Sequence, residues 1–179
     1  MKHLPFLETE RLILRPITLD DAVEFYEMDS QPEVHQYLRD EPLESIDEAI
    51  NLINSLHVQY NKFGIGRIAV IDKSTYEFIG WTGFKYIPNE TPINNQSDYL
   101  DFGYRLRKES WGKGYATEAA MACMKFFNEK LSEFKINAIT DVENEVSRHI
   151  LEKLGFEIQE TFEFSPSKAK CYWYKLKRS

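Results

Sequence analysis

The chain is short of cysteine, of basic charge and of long apolar runs, and each shortage removes a class of protein. Two cysteines in 179 residues, Cys123 and Cys171, cannot build a disulfide framework, and neither stands in a metal-ligand spacing. Both read as reduced packing residues, and no metal is expected. No run approaches the ~18 apolar residues of a membrane helix. Met1-Lys2-His3 leads directly into strand-like sequence without a signal-peptide core, so a cytoplasmic address is the expectation. Acidic residues outnumber basic ones, 29 against 22, for a formal net charge of −7. That balance argues against general affinity for nucleic acid or for an anionic membrane, and it suits a cationic substrate such as an amine.

Nothing divides the sequence: no linker, repeat or low-complexity tract separates one part from another. A single domain over residues 1–179 is expected, long enough for one well-buried core. Thr9 to Arg15 reads as a strand stopped by Pro16. Capping-box patterns at Thr18–Asp21 and Ser45–Glu48 each open a helix, the second ending near Phe63-Gly64. Arg67 to Ile71 and Glu77 to Ile87 form a hairpin, and Pro88 to Ser97 a polar loop. Tyr99 to Leu106 alternates, with Leu100, Phe102, Tyr104 and Leu106 facing one way and Asp101, Gly103 and Arg105 the other. A helix follows with Ala116, Ala120, Cys123, Phe127 and Leu131 on its apolar face. Ile136 to Val142 is a strand, Asn144 caps a helix closed by Gly155, and two strands end the chain. The four histidines share no spacing and are expected at the surface or on helix faces. This order describes one mixed α/β domain rather than an alternating doubly wound fold.

Between the alternating strand and the helix lies Trp111-Gly112-Lys113-Gly114-Tyr115-Ala116-Thr117-Glu118. Small residues there bare backbone N–H groups, and the helix start adds its positive dipole end, so the turn suits an anion, above all a pyrophosphate. A Walker loop does not fit, because Lys113 is followed by Gly114 and the required upstream glycine position holds Arg107. A dinucleotide fingerprint does not fit either, because Thr117 stands at the third glycine position.

The ordered set Thr9-Glu10-Arg11-Leu12-Ile13-Leu14-Arg15-Pro16, Gly103-Tyr104, Trp111 through Ala119, and Asn144-x-x-Ser147 through Glu152-Lys153-Leu154-Gly155-Phe156 resembles the GNAT acyltransferase superfamily, in its RimJ/RimL-like branch. The resemblance runs over nearly the whole chain. It implies a strongly bent, seven-stranded, mostly antiparallel sheet with about four helices, in which two central parallel strands, here Asp98–Leu106 and Ile136–Val142, splay apart around acetyl-CoA. It places pantetheine against Leu106 and Arg107, and the pyrophosphate on the turn from Trp111 and Gly112 through Lys113, Gly114, Tyr115, Ala116 and Thr117. Trp111 and Ala116 depart from the general superfamily pattern but are usual in this branch.

The implied activity is N-acetylation by direct attack of a primary amine on the thioester. The acceptor is a protein N-terminal amine or a small-molecule amine, and the protein a monomer or homodimer. Leu151 stands where many members carry a proton-donating tyrosine. The donor is then another group, Ser147 as in some relatives of this branch, or water. Asp101 is the first candidate base, with Glu163 and Glu160 as alternatives. Asn144 either holds an ordered water or the pantetheine arm, or is a plain N-cap. Lys113, and less so Arg105, Arg107 and Lys108, are candidate phosphate contacts; Trp111 is a packing wedge. An acyl-Cys intermediate is disfavoured because Cys123 falls on a buried helix face. A non-catalytic acyl-CoA-binding module would share the same cradle.

Overall fold

A computed structural model describes residues 4–38, 40–165 and 167–177; His3, expected at the surface, lies outside them. The strands are β1 (Leu7–Glu8), β2 (Leu12–Pro16), β3 (Arg67–Asp72), β4 (Phe78–Ile87), β5 (Tyr99–Leu106), β6 (Ile136–Asp141), β7 (Phe156–Phe164) and β8 (Ala169–Leu176). The helices are α1 (Ala22–Asp29), α2 (Ile46–Phe63), α3 (Tyr115–Lys130) and α4 (Glu145–Lys153). They build one open sheet in the order β1-β2-β3-β4-β5-β6-β8-β7.

The sheet therefore has eight strands where seven were expected. The extra strand is β1, which pairs Leu7 with Leu14 and Glu8 with Ile13. Two residues are too few to show alternation. The strand exists because a tight turn, with Thr9 N–H on the Leu12 carbonyl at 3.0 Å, folds it onto the edge of β2.

Alternation in β5 divides the molecule into two layers. Leu100, Phe102 and Leu106 enter a large core with Leu12, Val70, Phe127, Leu151 and Tyr174, beneath α3 and α4. On the opposite face Ala69, Ile71 and Phe78 pack with Phe25, Met28 and Ile53 of α1 and α2. Local chemistry ends these helices as the sequence implies: Ser45 accepts the Glu48 N–H, and Gly64 takes φ 67° to close α2. His35 is the exception among the histidines. It is buried, with Nδ1 on the Asp40 carbonyl at 3.0 Å and Nε2 on the Asp29 carbonyl at 2.9 Å. Its role in tying down the segment after α1 leaves no periodic trace in the sequence.

All neighbouring pairs are antiparallel except β5 with β6. That parallel ladder is short: Leu100 opposes Ile136, Asp101 opposes Asn137, and Phe102 opposes Ala138. Beyond it β5 continues to Leu106 against β4 alone, while β6 continues to Asp141 against β8 alone. The sheet forks there.

Candidate active site

In an antiparallel pair, alternate residues direct their amides to the same neighbour. The Arg107 N–H bonds the Ile79 carbonyl of β4 at 2.9 Å, whereas the Leu100 N–H bonds the Lys135 carbonyl on the β6 side at 2.8 Å. Even-numbered residues of β5 therefore turn toward β6, and past the fork the main chain of Tyr104 and Leu106 faces the gap. The Leu106 carbonyl is taken at 2.9 Å by the Trp111 indole N–H. Trp111 is thus a clamp between the strand end and the turn, with its ring half in solvent.

The turn itself is built to stay open. Gly112 and Gly114 have φ of 73° and 81°, a region that L side chains enter only with strain. A Cβ on Gly112 would meet nothing within 4 Å, so the space above it is free. Gly114 is the N-cap of α3 and makes no side-chain cap bond. The first intrahelical bond is Glu118 N–H to the Gly114 carbonyl at 3.1 Å, which leaves the N–H groups of Tyr115, Ala116 and Thr117 without helical partners.

A carboxylate in the first turn of α3 would oppose an incoming anion, and Glu118 is such a group. It is neutralised from the turn between β1 and β2: Arg11 Nε donates to Oε2 at 2.7 Å, the Arg11 N–H to Oε1 at 3.0 Å, and the Thr9 hydroxyl to Oε1 at 2.6 Å. Against the cost of burial, these bonds hold the Glu118 carboxyl below its ordinary value. Arg11 also donates to the Lys113 carbonyl at 2.9 Å, and the Tyr115 hydroxyl donates to Asp72 at 2.7 Å. The turn is fixed by side chains while its outward amides remain bare. This donor set fits a diphosphate.

The other basic residues near the turn are engaged elsewhere. Arg107 pairs with Glu27 of α1, Lys108 with Glu33 at 2.6 Å, and Arg105 with Asp29 at 2.7 Å and Asp40 at 3.3 Å. Lys113 is exposed at the turn.

On the far arm of the fork, Asn144 is the N-cap of α4, its Oδ1 accepting the Ser147 N–H at 3.0 Å. Ser147 meets a residue of the near arm: the Tyr104 hydroxyl lies 3.0 Å from its Oγ and 3.3 Å from its carbonyl. Burial pushes the Tyr104 phenol up to about 12, so it stays neutral. Sequence reading missed this contact, although Tyr104 stands in the alternation on the face that α4 covers. Leu151 is 1% exposed and offers no donor.

Asp101 faces the α1–α2 side. Its Oδ2 is held by Arg67, whose guanidinium also donates to the carbonyls of Gly83 and Asp101. Glycine at position 103 leaves room for Arg67: a Cβ there would sit 3.1 Å from its Nη2, a tight approach. Trp81 lies between two cations, with Arg67 Cζ 5.1 Å and Arg105 Cζ 5.3 Å from its ring centre. Glu160 accepts from Asn94 at 2.8 Å. Glu163 neighbours Phe162, which packs with Tyr99 and Trp173 on the Asp101 face, so alternation turns Glu163 to the opposite face. Cys123 is buried and its thiol pushed up to about 12 by desolvation, unfit as a nucleophile.

Residues 11–157 match the family model described as Acetyltransferase (GNAT) domain. The chain belongs to the GNAT acetyltransferase family. It is 34% identical over 154 residues to an uncharacterized N-acetyltransferase of Bacillus subtilis (strain 168), YoaA, covering 86% of this chain and 83% of the relative. Spermidine N(1)-acetyltransferase of Escherichia coli (strain K12) is 30% identical over 148 residues, covering 82% of this chain and 73% of the relative. Among solved structures, RimL, a ribosomal L7/L12 alpha-N-protein acetyltransferase in complex with coenzyme A, superposes with TM-score 0.78 at 15% identity, covering 95% of this chain and 96% of that one. The fold is that of the RimJ/RimL-like GNAT proteins, and the chain is an N-acetyltransferase that uses acetyl-CoA.

Proposed function

We propose that this GNAT enzyme acetylates a primary amine of a small cationic acceptor, with the free amine attacking the thioester directly. The observation that carries the reading is the uncapped N-terminus of α3, set immediately beyond the fork of β5 and β6. In this reading the N–H groups of Gly112 to Thr117 and the Lys113 ammonium hold the diphosphate of acetyl-CoA. The main chain at Tyr104 and Leu106 lies along its pantetheine arm, while Arg107, its N–H on the Ile79 carbonyl and its carbonyl on the Ser110 N–H, ends that edge. The cofactor supplies an acyl group activated by a good leaving thiol. Asn144 fixes the backbone of Ser147, and Ser147 donates to the departing sulfur.

Asp101 attracts the acceptor's ammonium to the fork. The Asp101 carboxylate is already engaged by the Arg67 guanidinium and is not free to take up the proton. The amine therefore loses its proton chiefly through water, with Asp101 orienting it.

Charge supports a cationic acceptor. Residues 19–48, which carry α1 and the start of α2, contain eleven Asp or Glu and one Arg. Some of these acids pair with Arg15, Arg105, Arg107 and Lys108; Asp40, though it meets Arg105, is exposed and with Glu41 lines a cavity of about 340 Å³ beside His35 and Ser167. The relative named for spermidine adds weight. Thiol release with acetyl-CoA and a panel of polyamines, monoamines and N-terminal peptides tests the reading. Turnover is expected with diamines and polyamines. Turnover with neutral peptide N-termini alone would overturn the cationic assignment, and binding without thiol release from any amine would favour a non-catalytic module. Asp101→Asn is expected to lower kcat/KM for the amine at least ~10-fold, with acetyl-CoA affinity unchanged.

A further inference from the structure

We propose that Tyr104 is a positioning residue for acyl transfer, its hydroxyl holding the Ser147 hydroxyl so that the serine proton is presented to the sulfur leaving the acetyl group. The inference rests on the reading of Ser147 as the donor to that sulfur. Position 151, one turn further along α4, is a buried leucine and supplies nothing. The phenol that reaches the fork comes instead from the strand.

Geometry carries the argument. Tyr104 stands two residues past the last parallel pair, Phe102 with Ala138, and so begins the open arm of β5. Its hydroxyl crosses to α4 and meets Ser147 Oγ at 3.0 Å. The Ser147 backbone is already pinned by Asn144 at 3.0 Å. A serine hydroxyl donates one proton and accepts through its lone pairs. With the tyrosine proton directed to Oγ, the serine proton is released to point elsewhere, and the opening between the arms is where an acceptor would lie. A donor that itself receives a hydrogen bond is polarised and donates more strongly. Burial keeps the phenol neutral, pushed up to about 12, so it gives a hydrogen bond and retains its proton.

The step balances without a proton leaving either side chain. The amine nitrogen forms a bond to the acyl carbon, the C–S bond breaks, and its electron pair stays on sulfur. Ser147 stabilises that charge by hydrogen bonding. An alkyl thiolate, of ordinary pKa about 8.5, then takes its proton from water, and the surplus proton of the amine goes to water.

Free coenzyme A gives a readout independent of turnover. The thiol of the bound molecule is titrated by its thiolate ultraviolet absorbance in the parent enzyme, Ser147→Ala, Tyr104→Phe and the double variant. Calorimetric affinity for coenzyme A at pH 6, unchanged across the set, establishes that each variant is folded. The parent is expected to lower the bound thiol pKa by about one unit relative to free coenzyme A. Ser147→Ala should abolish the shift, Tyr104→Phe should remove about half of it, and the double variant should match Ser147→Ala. In turnover, Tyr104→Phe should lower kcat ~10-fold with KM for acetyl-CoA unchanged. A thiol pKa unmoved by Tyr104→Phe but raised by Ser147→Ala overturns the role of Tyr104 alone. A thiol pKa unmoved by either variant overturns the Ser147 reading beneath it.

Discussion

Arg11 and Glu118 meet across more than a hundred residues of sequence, their guanidinium and carboxylate bonding at 2.6 Å, and this pair joins the turn before β2 to the first turn of α3. Because Arg11 also holds the Lys113 carbonyl, it fixes the shape of the phosphate turn while cancelling the charge of Glu118. Arg11→Ala should therefore weaken acetyl-CoA binding ~5–20-fold by calorimetry, through repulsion by the freed carboxylate and a looser turn. Glu118→Gln added to Arg11→Ala should recover part of the loss. No recovery would mean that turn geometry alone matters.

Gly112 offers a sharper test, since nothing fills the space where its Cβ would stand. Gly112→Val puts a branched side chain into that space and requires φ near 73°. Urea unfolding should show a stability loss of about 1–2 kcal/mol from backbone strain. Affinity for acetyl-CoA should fall by more than ~10-fold in the same protein, measured where it is still folded.

Asp72 couples the turn to pH. Hydrogen bonds from Ser74 and then from the Tyr115 hydroxyl lower its carboxyl from 3.8 to about 2. A carboxyl depressed in the folded state stabilises it above the unfolded value, and that contribution is lost as pH falls through the folded value. Asp72→Asn should thus cost about 1–2 kcal/mol at pH 7, and the difference from the parent should shrink from pH 4 to pH 2 in denaturant titrations.

Arg105 is the partner of a carboxylate that is 2% exposed, Asp29, whose carboxyl is raised because burial outweighs the nearby cations. Arg105→Met strands that charge and should cost about 3–5 kcal/mol. Adding Asp29→Asn removes the stranded charge, so the double variant should be more stable than Arg105→Met alone in thermal unfolding.

The strands and helices that carry apolar periodicity over five or more residues were legible in the sequence, as were the caps at Ser45, Asn144 and Gly155. The anion turn was legible because its signal is local: small residues between an alternating strand and a helix. β1 was not, because two residues make no pattern. The long-range ion pairs were also hidden. Arg105, Arg107 and Lys108 sit beside the turn in sequence, yet α1 and the segment after it pack close enough for Asp29, Glu27 and Glu33 to capture them. Asp101 was legible as a candidate base on the face away from Leu100 and Phe102, but its guanidinium partner arrives from β3, 34 residues earlier. Tyr104 read as one more apolar position in an alternating strand. Its hydroxyl acquires a use only once the sheet divides beneath it.

The division of that sheet has a consequence for the lifetime of the folded chain. Among the described residues, three opposed pairs form the ladder between the five strands that begin the sheet and the three that end it. A slender molecule laid along the parted strands would act as a splint, and mass action then lets its concentration set how often the seam gives way. Cells poor in acetyl donor would hold this enzyme in its more perishable form.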